Sequence, residues 1–301
     1  MRKFLGKTTP GGIGRYVALI LLLLPFGGVC QSYSYPDIPD SIVGDVERAA
    51  YMAEHFWDNA DLNDTLLLQQ PKRALDLIFL LHVCAETEPP KTIIRKTVEK
   101  FVSDKGQIGK LLFWFNRYLH NTQSPMYDDE LYLLFIETLM QANAFGANTD
   151  DLSEIRDLLR RNRTGYTAEN FVFADMSGKD WHLFDLTADR ILLLFYNPDC
   201  SRCQKTISEI TADSYGSDLM HSGALKIVAV CPWGDYDDWK KSSCPDGWLC
   251  GFDTEADIAA KRLYDIQQLP SIYILDSEKR VVVKEANNYS TVKNQLSASS
   301  Q

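Results

Sequence analysis

Basic residues are in short supply. Against 41 acidic side chains stand 31 lysines and arginines, a formal charge of −10. Nucleic-acid binding needs the opposite balance, so no nucleic-acid partner is expected. Cysteine is scarce as well. Seven in 301 residues cannot build a disulfide-dense scaffold, so a core of ordinary size must hold the fold. With 45% apolar residues the chain has the material for one, and its length accommodates two domains. No repeat of about 20–50 residues is visible, which argues against solenoids and propellers. No apolar run reaches the roughly 20 residues of a spanning helix, so no membrane span is expected.

Residues 1–30 have the layout of a secretory leader. Arg2, Lys3, Lys7 and Arg15 give a positive start, residues 17–24 are an unbroken apolar run, and Gly27, Gly28, Val29 and Cys30 follow Pro25. The sequence favours ordinary cleavage after Cys30. The alternative is a lipid anchor on Cys30, against which Val29 stands where a small residue usually precedes a lipidated cysteine. Cleavage would take the formal charge from −10 by four to −14 and leave Cys84, Cys200, Cys203, Cys231, Cys244 and Cys250. The expected location is the periplasm, an oxidising compartment in which cysteine pairs persist.

Residues 31–163 carry helical periodicity. The segments are 41–58, a second opening at Pro71, a third after Pro89–Pro90, a fourth through residues 111–119, a fifth at 131–140 and a sixth at 151–161. Strand-like alternation is missing, so this stretch is expected to be a helical domain of five or six helices. His55, His82 and His120 are scattered, with no second histidine or carboxylate at metal-ligand spacing, and no metal or cofactor is expected. Cys84 lies in an apolar stretch and reads as a small buried hydrophobe. Packing or partner recognition is the expected role.

From about residue 166 the pattern changes. Residues 171–173 and 181–186 read as a hairpin turning at Ser177–Gly178. Residues 191–196, 227–230, 272–275 and 281–283 read as strands, with helices expected over 204–211 and 254–263. Buried strands alternating with helices predict a central sheet with parallel members.

One motif stands above the rest, Asn197-Pro198-Asp199-Cys200-Ser201-Arg202-Cys203. It follows a buried strand and opens a helix. The helix N-terminus offers free N–H groups and a positive dipole end to the first sulfur, which favours a thiolate. Arg202 favours it further and Asp199 opposes it. Two intervening residues let Cys203 reach Cys200, so the pair can cycle between dithiol and disulfide. A zinc site would need a second Cys or His pair, and Cys244 and Cys250 are spaced too widely for one.

These residues resemble the thioredoxin-like domain of the exported, reductase-type branch, which is related to peroxiredoxins. The resemblance covers residues 166–301. Ala168-Glu169-Asn170-Phe171 is similar to that branch's opening motif, residues 192–203 to its strand–CxxC–helix core, and 266–270 to its loop with a cis-proline. The helical stretch before it is similar to an uncharacterised domain of secreted bacterial proteins. The expected architecture is α plus α/β: an N-terminal helical domain, then a thioredoxin-like fold with a central mixed sheet flanked by helices. The resemblance implies Cys200 as attacking thiol, Cys203 as resolving thiol, Pro270 in cis against the pair, and the Leu269 backbone pairing with substrate. It implies protein thiols or disulfides as substrates and an electron donor or acceptor that the sequence does not name. The buried acid of thioredoxins is replaced by Leu194.

The expected function is thus an exported thiol–disulfide oxidoreductase. The alternative is a non-catalytic thioredoxin-like binding module that keeps its pair as a structural disulfide. A peroxidase is a third option, disfavoured because residues 193–200 lack the peroxiredoxin pattern. Pro245, Asp246 and Gly247 are turn formers, so Cys244 and Cys250 are expected to form a structural disulfide, with Cys231 pairing to either as the alternative. Cys231 ends a strand, which places it on the active-site side or makes it a buried small residue.

Overall fold

A computed structural model describes residues 33–84, 90–146 and 149–296. Residues 1–30, read above as a leader, and with them Cys30, lie outside the described residues. The chain divides into two compact units, 1–114 and 115–301.

The first unit carries α1 (Asp45–Glu54), α2 (Lys72–Val83), α3 (Pro90–Phe101) and α4 (Lys105–Phe115). Each buries the apolar face that its periodicity marks: Ala49 and Ala53, then Leu77, Ile78 and Leu81, then Ile93, Ile94, Val98 and Phe101. Trp57 lies edge-on to Phe101 at 4.9 Å and satisfies its indole N–H on Thr97 Oγ1 at 3.0 Å. Cys84 is buried. The Arg73 guanidinium lies over the Tyr33 and Tyr35 rings at 4.4 and 4.9 Å and donates to Tyr35 Oη at 2.6 Å, so this buried cation has both a π face and an acceptor.

The second unit opens with a π-helical turn, Asn116–His120, then α5 (Asp129–Gln141) and α6 (Asp150–Arg160). Asp128 caps α5 by accepting from the Leu131 N–H. Seven strands follow: β1 (Val172–Asp175), β2 (Asp180–His182), β3 (Arg190–Phe195), β4 (Leu225–Cys231), β5 (Leu249–Phe252), β6 (Ser271–Asp276) and β7 (Val281–Ala286). They form one mixed sheet in the order β2-β1-β5-β4-β3-β6-β7. β3 is an interior strand, parallel to β4 and antiparallel to β6. Its unbroken apolar run follows from burial on both faces: Leu192 and Leu194 enter one core, Ile191, Leu193 and Phe195 the other.

Helices α7 (Ser201–Thr211), α8 (Ser214–His221) and α11 (Tyr289–Leu296) bring apolar side chains to the Leu192–Leu194 face, and the short α9 (Tyr236–Lys240) brings Trp239. Asp213 caps α8 through the Gly216 N–H, accepts from Tyr289 Oη at 2.6 Å and pairs with Lys293 at 2.6 Å, tying α8 to α11. This is a thioredoxin-like fold with helices ahead of it, the architecture expected from the sequence.

Two expectations are adjusted. The helix expected over 254–263 is reduced to α10 (Asp257–Ala260), because Ala256 and Arg262 take left-handed backbone angles, φ 54° and 47°, that cannot continue a helix. The second hairpin strand ends at His182 and continues as a 3₁₀ turn, Leu183–Asp185. The change of pattern near residue 163 marks where strands begin, whereas the compact units divide between residues 114 and 115. Asn162 shows why the late helices belong to the second unit: its side chain donates to the Leu263 carbonyl at 2.7 Å and accepts from the Glu169 N–H at 2.7 Å.

Candidate active site

β3 delivers the chain to the site. Tyr196 closes the ladder with its N–H on the Val230 carbonyl at 3.0 Å. Pro198 cannot extend the strand. The Asn197 side chain then accepts from the Asp199 N–H at 2.9 Å, an Asx turn that reverses the backbone. Cys200 becomes the N-cap of α7, its sulfur accepting from the Cys203 N–H at 3.3 Å. An N-cap side chain points at the unpaired N–H groups of the first turn. The fold therefore supplies the Cys200 sulfur with donors before any charge acts.

Cys200 and Cys203 are unbonded thiols with different surroundings. Cys200 is half-buried and Cys203 has no exposed surface. Burial acts to raise the Cys200 thiol, but the Cys203 thiol, the N–H groups of Cys203 and Arg202, and the Arg202 charge outweigh it. The result lies below the ordinary thiol value. Burial pushes Cys203 up to about 12, helped by its hydrogen bond to Cys200. The two sulfurs therefore differ in how readily each gives up its proton, Cys200 the more readily.

The Leu269–Pro270 peptide is cis. The Leu269 carbonyl faces Cys200, with the sulfur 3.8 Å away. Arg202 is exposed and donates through Nη1 to Gln268 Oε1 at 2.8 Å. Asp199 is exposed beside it. Cys200, Cys203, Arg202, Leu269 and Pro270 thus meet at one end of β3. Cys244 and Cys250 do not join them. They are bonded to each other, Cα atoms 5.9 Å apart, across the turn in which Gly247 takes φ 79°. Cys231 is buried, its sulfur donates to the Trp233 carbonyl at 3.2 Å, and burial pushes it up to about 11.

The chain matches the family described as a domain of unknown function, DUF5106, over residues 8–162. It belongs to that family. The crystal structure of a thioredoxin-like protein from Bacteroides caccae is 28% identical, covering 89% of this chain and 99% of that chain with a TM-score of 0.77. The C-terminal domain of an uncharacterised protein from Bacteroides fragilis is 32% identical over 46% of this chain and 99% of that chain, TM-score 0.44. No curated protein matches.

The polar surroundings of this site carry no recognisable mark in the sequence. Gln268 also accepts from Gln123 Nε2 at 2.6 Å and donates to Thr122 Oγ1 at 2.9 Å, and Asn287 donates to the Thr122 carbonyl at 2.9 Å. The loop between the π turn and α5 therefore forms one side of the rim. Below it, donor atoms of His120, Asp129 and Asp265 lie within 4.8 Å of one another, close enough in principle to share a metal ion. The Lys284 ammonium stands 2.6 Å from Asp129 Oδ2. His120 reads as isolated in the sequence because its partners come from nine residues onward and from the far side of the fold. Only the π turn, not visible as a pattern, could have marked it.

Proposed function

We propose that this protein is an exported thiol–disulfide oxidoreductase acting on protein substrates. The observation that carries the proposal is the asymmetry of the pair: an accessible thiol lowered at a helix N-cap and a buried partner pushed up to about 12. In the reducing direction, the Cys200 thiolate attacks one sulfur of a substrate disulfide. A Cys200–substrate disulfide forms and the other substrate sulfur leaves as a thiolate. The Cys203 proton passes to the departing thiol as its sulfur attacks Cys200 Sγ. The first substrate thiolate takes its proton from water, so the substrate leaves as a dithiol and the enzyme holds Cys200–Cys203 as a disulfide. A dithiol donor must then return two electrons and two protons. The Leu269 backbone, facing Cys200, offers an extended substrate a pairing edge. The leader-like residues 1–30 and the Cys244–Cys250 disulfide support a periplasmic setting.

The test is insulin reduction with dithiothreitol as donor, comparing wild type with Cys200→Ser. Wild type is expected to accelerate precipitation of the insulin B chain and Cys200→Ser to fall to the uncatalysed rate. Equal rates would overturn the proposal in favour of a non-catalytic binding module.

A further inference from the structure

Five ionisable side chains beneath the cis-peptide loop take no part in the chemistry of the cysteine pair. His120 ends the π turn, Asp129 begins α5, Asp265 lies between α10 and β6, and Lys284 and Glu285 are on β7. His120 Nδ1 is 2.9 Å from Asp129 Oδ1 and its Nε2 is 3.4 Å from Asp265 Oδ2, so the ring bridges two carboxylates. Lys284 Nζ meets the second oxygen of Asp129 at 2.6 Å. The four side chains are between 8% and 15% exposed. The His120 ring stacks on Tyr132 with centroids 5.0 Å apart, which fixes its plane. Burial, then Asp265, pushes Glu285 up to about 9, so it enters the group neutral. Buried charges cost several kcal/mol each unless they are paired. Here the Lys284 ammonium stands against Asp129 and the His120 ring lies between Asp129 and Asp265.

The group converges on Gln267. The Gln267 N–H donates to Glu285 Oε1 at 3.1 Å. Its side-chain nitrogen donates to the His120 carbonyl at 2.5 Å and stands 3.3 Å from Asp265 Oδ2. The next residue, Gln268, is held by Arg202, Gln123 and Thr122. The residue after that is Leu269, whose carbonyl faces Cys200. Hydrogen bonds at successive positions leave the backbone from 265 to 269 little freedom.

We infer that His120, Asp129, Asp265, Lys284 and Glu285 are positioning residues that clamp Gln267 and thereby hold the Leu269 backbone where an extended polypeptide disulfide can pair with it beside Cys200. The catalytic part of this inference rests on the oxidoreductase proposal; the clamp does not. A polypeptide must align a strand on Leu269, whereas a small aromatic disulfide needs only to reach the Cys200 sulfur. The clamp therefore selects for polypeptide substrates.

The experiment compares wild type with His120→Ala, Gln267→Ala and Glu285→Gln. It follows kcat/KM on insulin, the rate with 5,5′-dithiobis(2-nitrobenzoate), and amide hydrogen exchange at residues 267–269. Gln267 is exposed, so its variant keeps the buried group intact should His120→Ala fail to fold. Losing one such hydrogen bond corresponds to about a tenfold fall on insulin. His120→Ala and Gln267→Ala are expected to show that fall, faster exchange at 267–269 and an unchanged rate with the small disulfide. Glu285→Gln, which keeps a neutral acceptor, is expected to stay near wild type. Both rates falling together, or exchange unchanged in the first two variants, overturns the inference. If wild type reduces insulin no better than Cys200→Ser, the oxidoreductase proposal fails instead, and hydrogen exchange still decides the clamp.

Discussion

The guanidinium of Arg202 donates to the side-chain oxygen of Gln268 at 2.8 Å, so the cation nearest Cys200 is tethered to the loop that holds the cis peptide bond. An exposed arginine on a helix surface ordinarily samples many rotamers, and its field at a neighbouring thiol is averaged and screened. Here one orientation is held. Cys200 and the loop that carries Gln268 and Leu269 therefore share a partner.

The first prediction follows from that tether. Iodoacetamide alkylation of Cys200 is expected to rise with pH through a midpoint below the ordinary thiol value and then level off. Cys203 is expected to resist until near pH 12. Arg202→Ala removes one of the contributions that lower Cys200, so its midpoint moves up. Mass spectrometry after timed alkylation separates the two sulfurs. An unmoved midpoint in Arg202→Ala would exclude an electrostatic role for the guanidinium.

The second concerns Glu285, raised from an ordinary 4.5 to about 9. Between those values the unfolded chain has released a proton that the folded chain keeps, so the folded state binds more protons. Stability from this group is greatest below about 4.5 and declines as pH rises toward about 9. Glu285→Gln removes the titration. The melting temperature of the variant minus that of wild type is expected to grow from pH 5 to pH 8.5. A constant difference would show that Glu285 is ionised in the folded protein.

The third concerns the Cys244–Cys250 bridge. The loop it closes is short, so removing it costs less than the ~3 kcal/mol of a 15-residue loop. The Cys244→Ala/Cys250→Ala double variant is expected to fold and to show a modest loss in urea unfolding. Failure to fold at 25 °C would mean that the bridge sustains β5 itself.

The fourth is a packing effect. A Cβ on Gly251 would come within 2.1 Å of the Phe173 ring, where β5 pairs with β1. Phe173 is fully buried and its ring cannot swing aside. Gly251→Ala is expected to lower stability by about 1–3 kcal/mol, measured by thermal unfolding. A neutral substitution would show that β1 and the hairpin shift freely on the sheet edge.

Most of the fold was legible because burial on both faces leaves an unmistakable trace, as in β3 with its run from Ile191 to Phe195. The helices before it were legible from their period. β5 escaped because four residues containing Cys250 and Gly251 are too few to show a period, and the expected helix over 254–263 failed on two left-handed residues that sequence does not mark. The cysteine pair was legible from local chemistry: two sulfurs, a strand before them and a helix after them. The buried group was not. His120 meets Asp265 only through tertiary folding, and Gln267 looks like any polar loop residue until its N–H is traced to Glu285. Local motifs announce reacting atoms, whereas the groups that hold those atoms in place are scattered along the chain.

The surroundings of the site are drawn from two distant stretches of the chain. His120, Thr122, Gln123 and Asp129 fall inside the matched family region at 8–162, while Asp265, Gln267, Gln268, Lys284 and Glu285 fall beyond it. A gene fragment cut at the change from helices to strands would encode Cys200 and Cys203 yet discard His120, Thr122, Gln123 and Asp129. Grafting a foreign thioredoxin-like module onto these helices would leave His120 and Thr122 facing strangers. Keeping these contacts in a chimera therefore requires both stretches together.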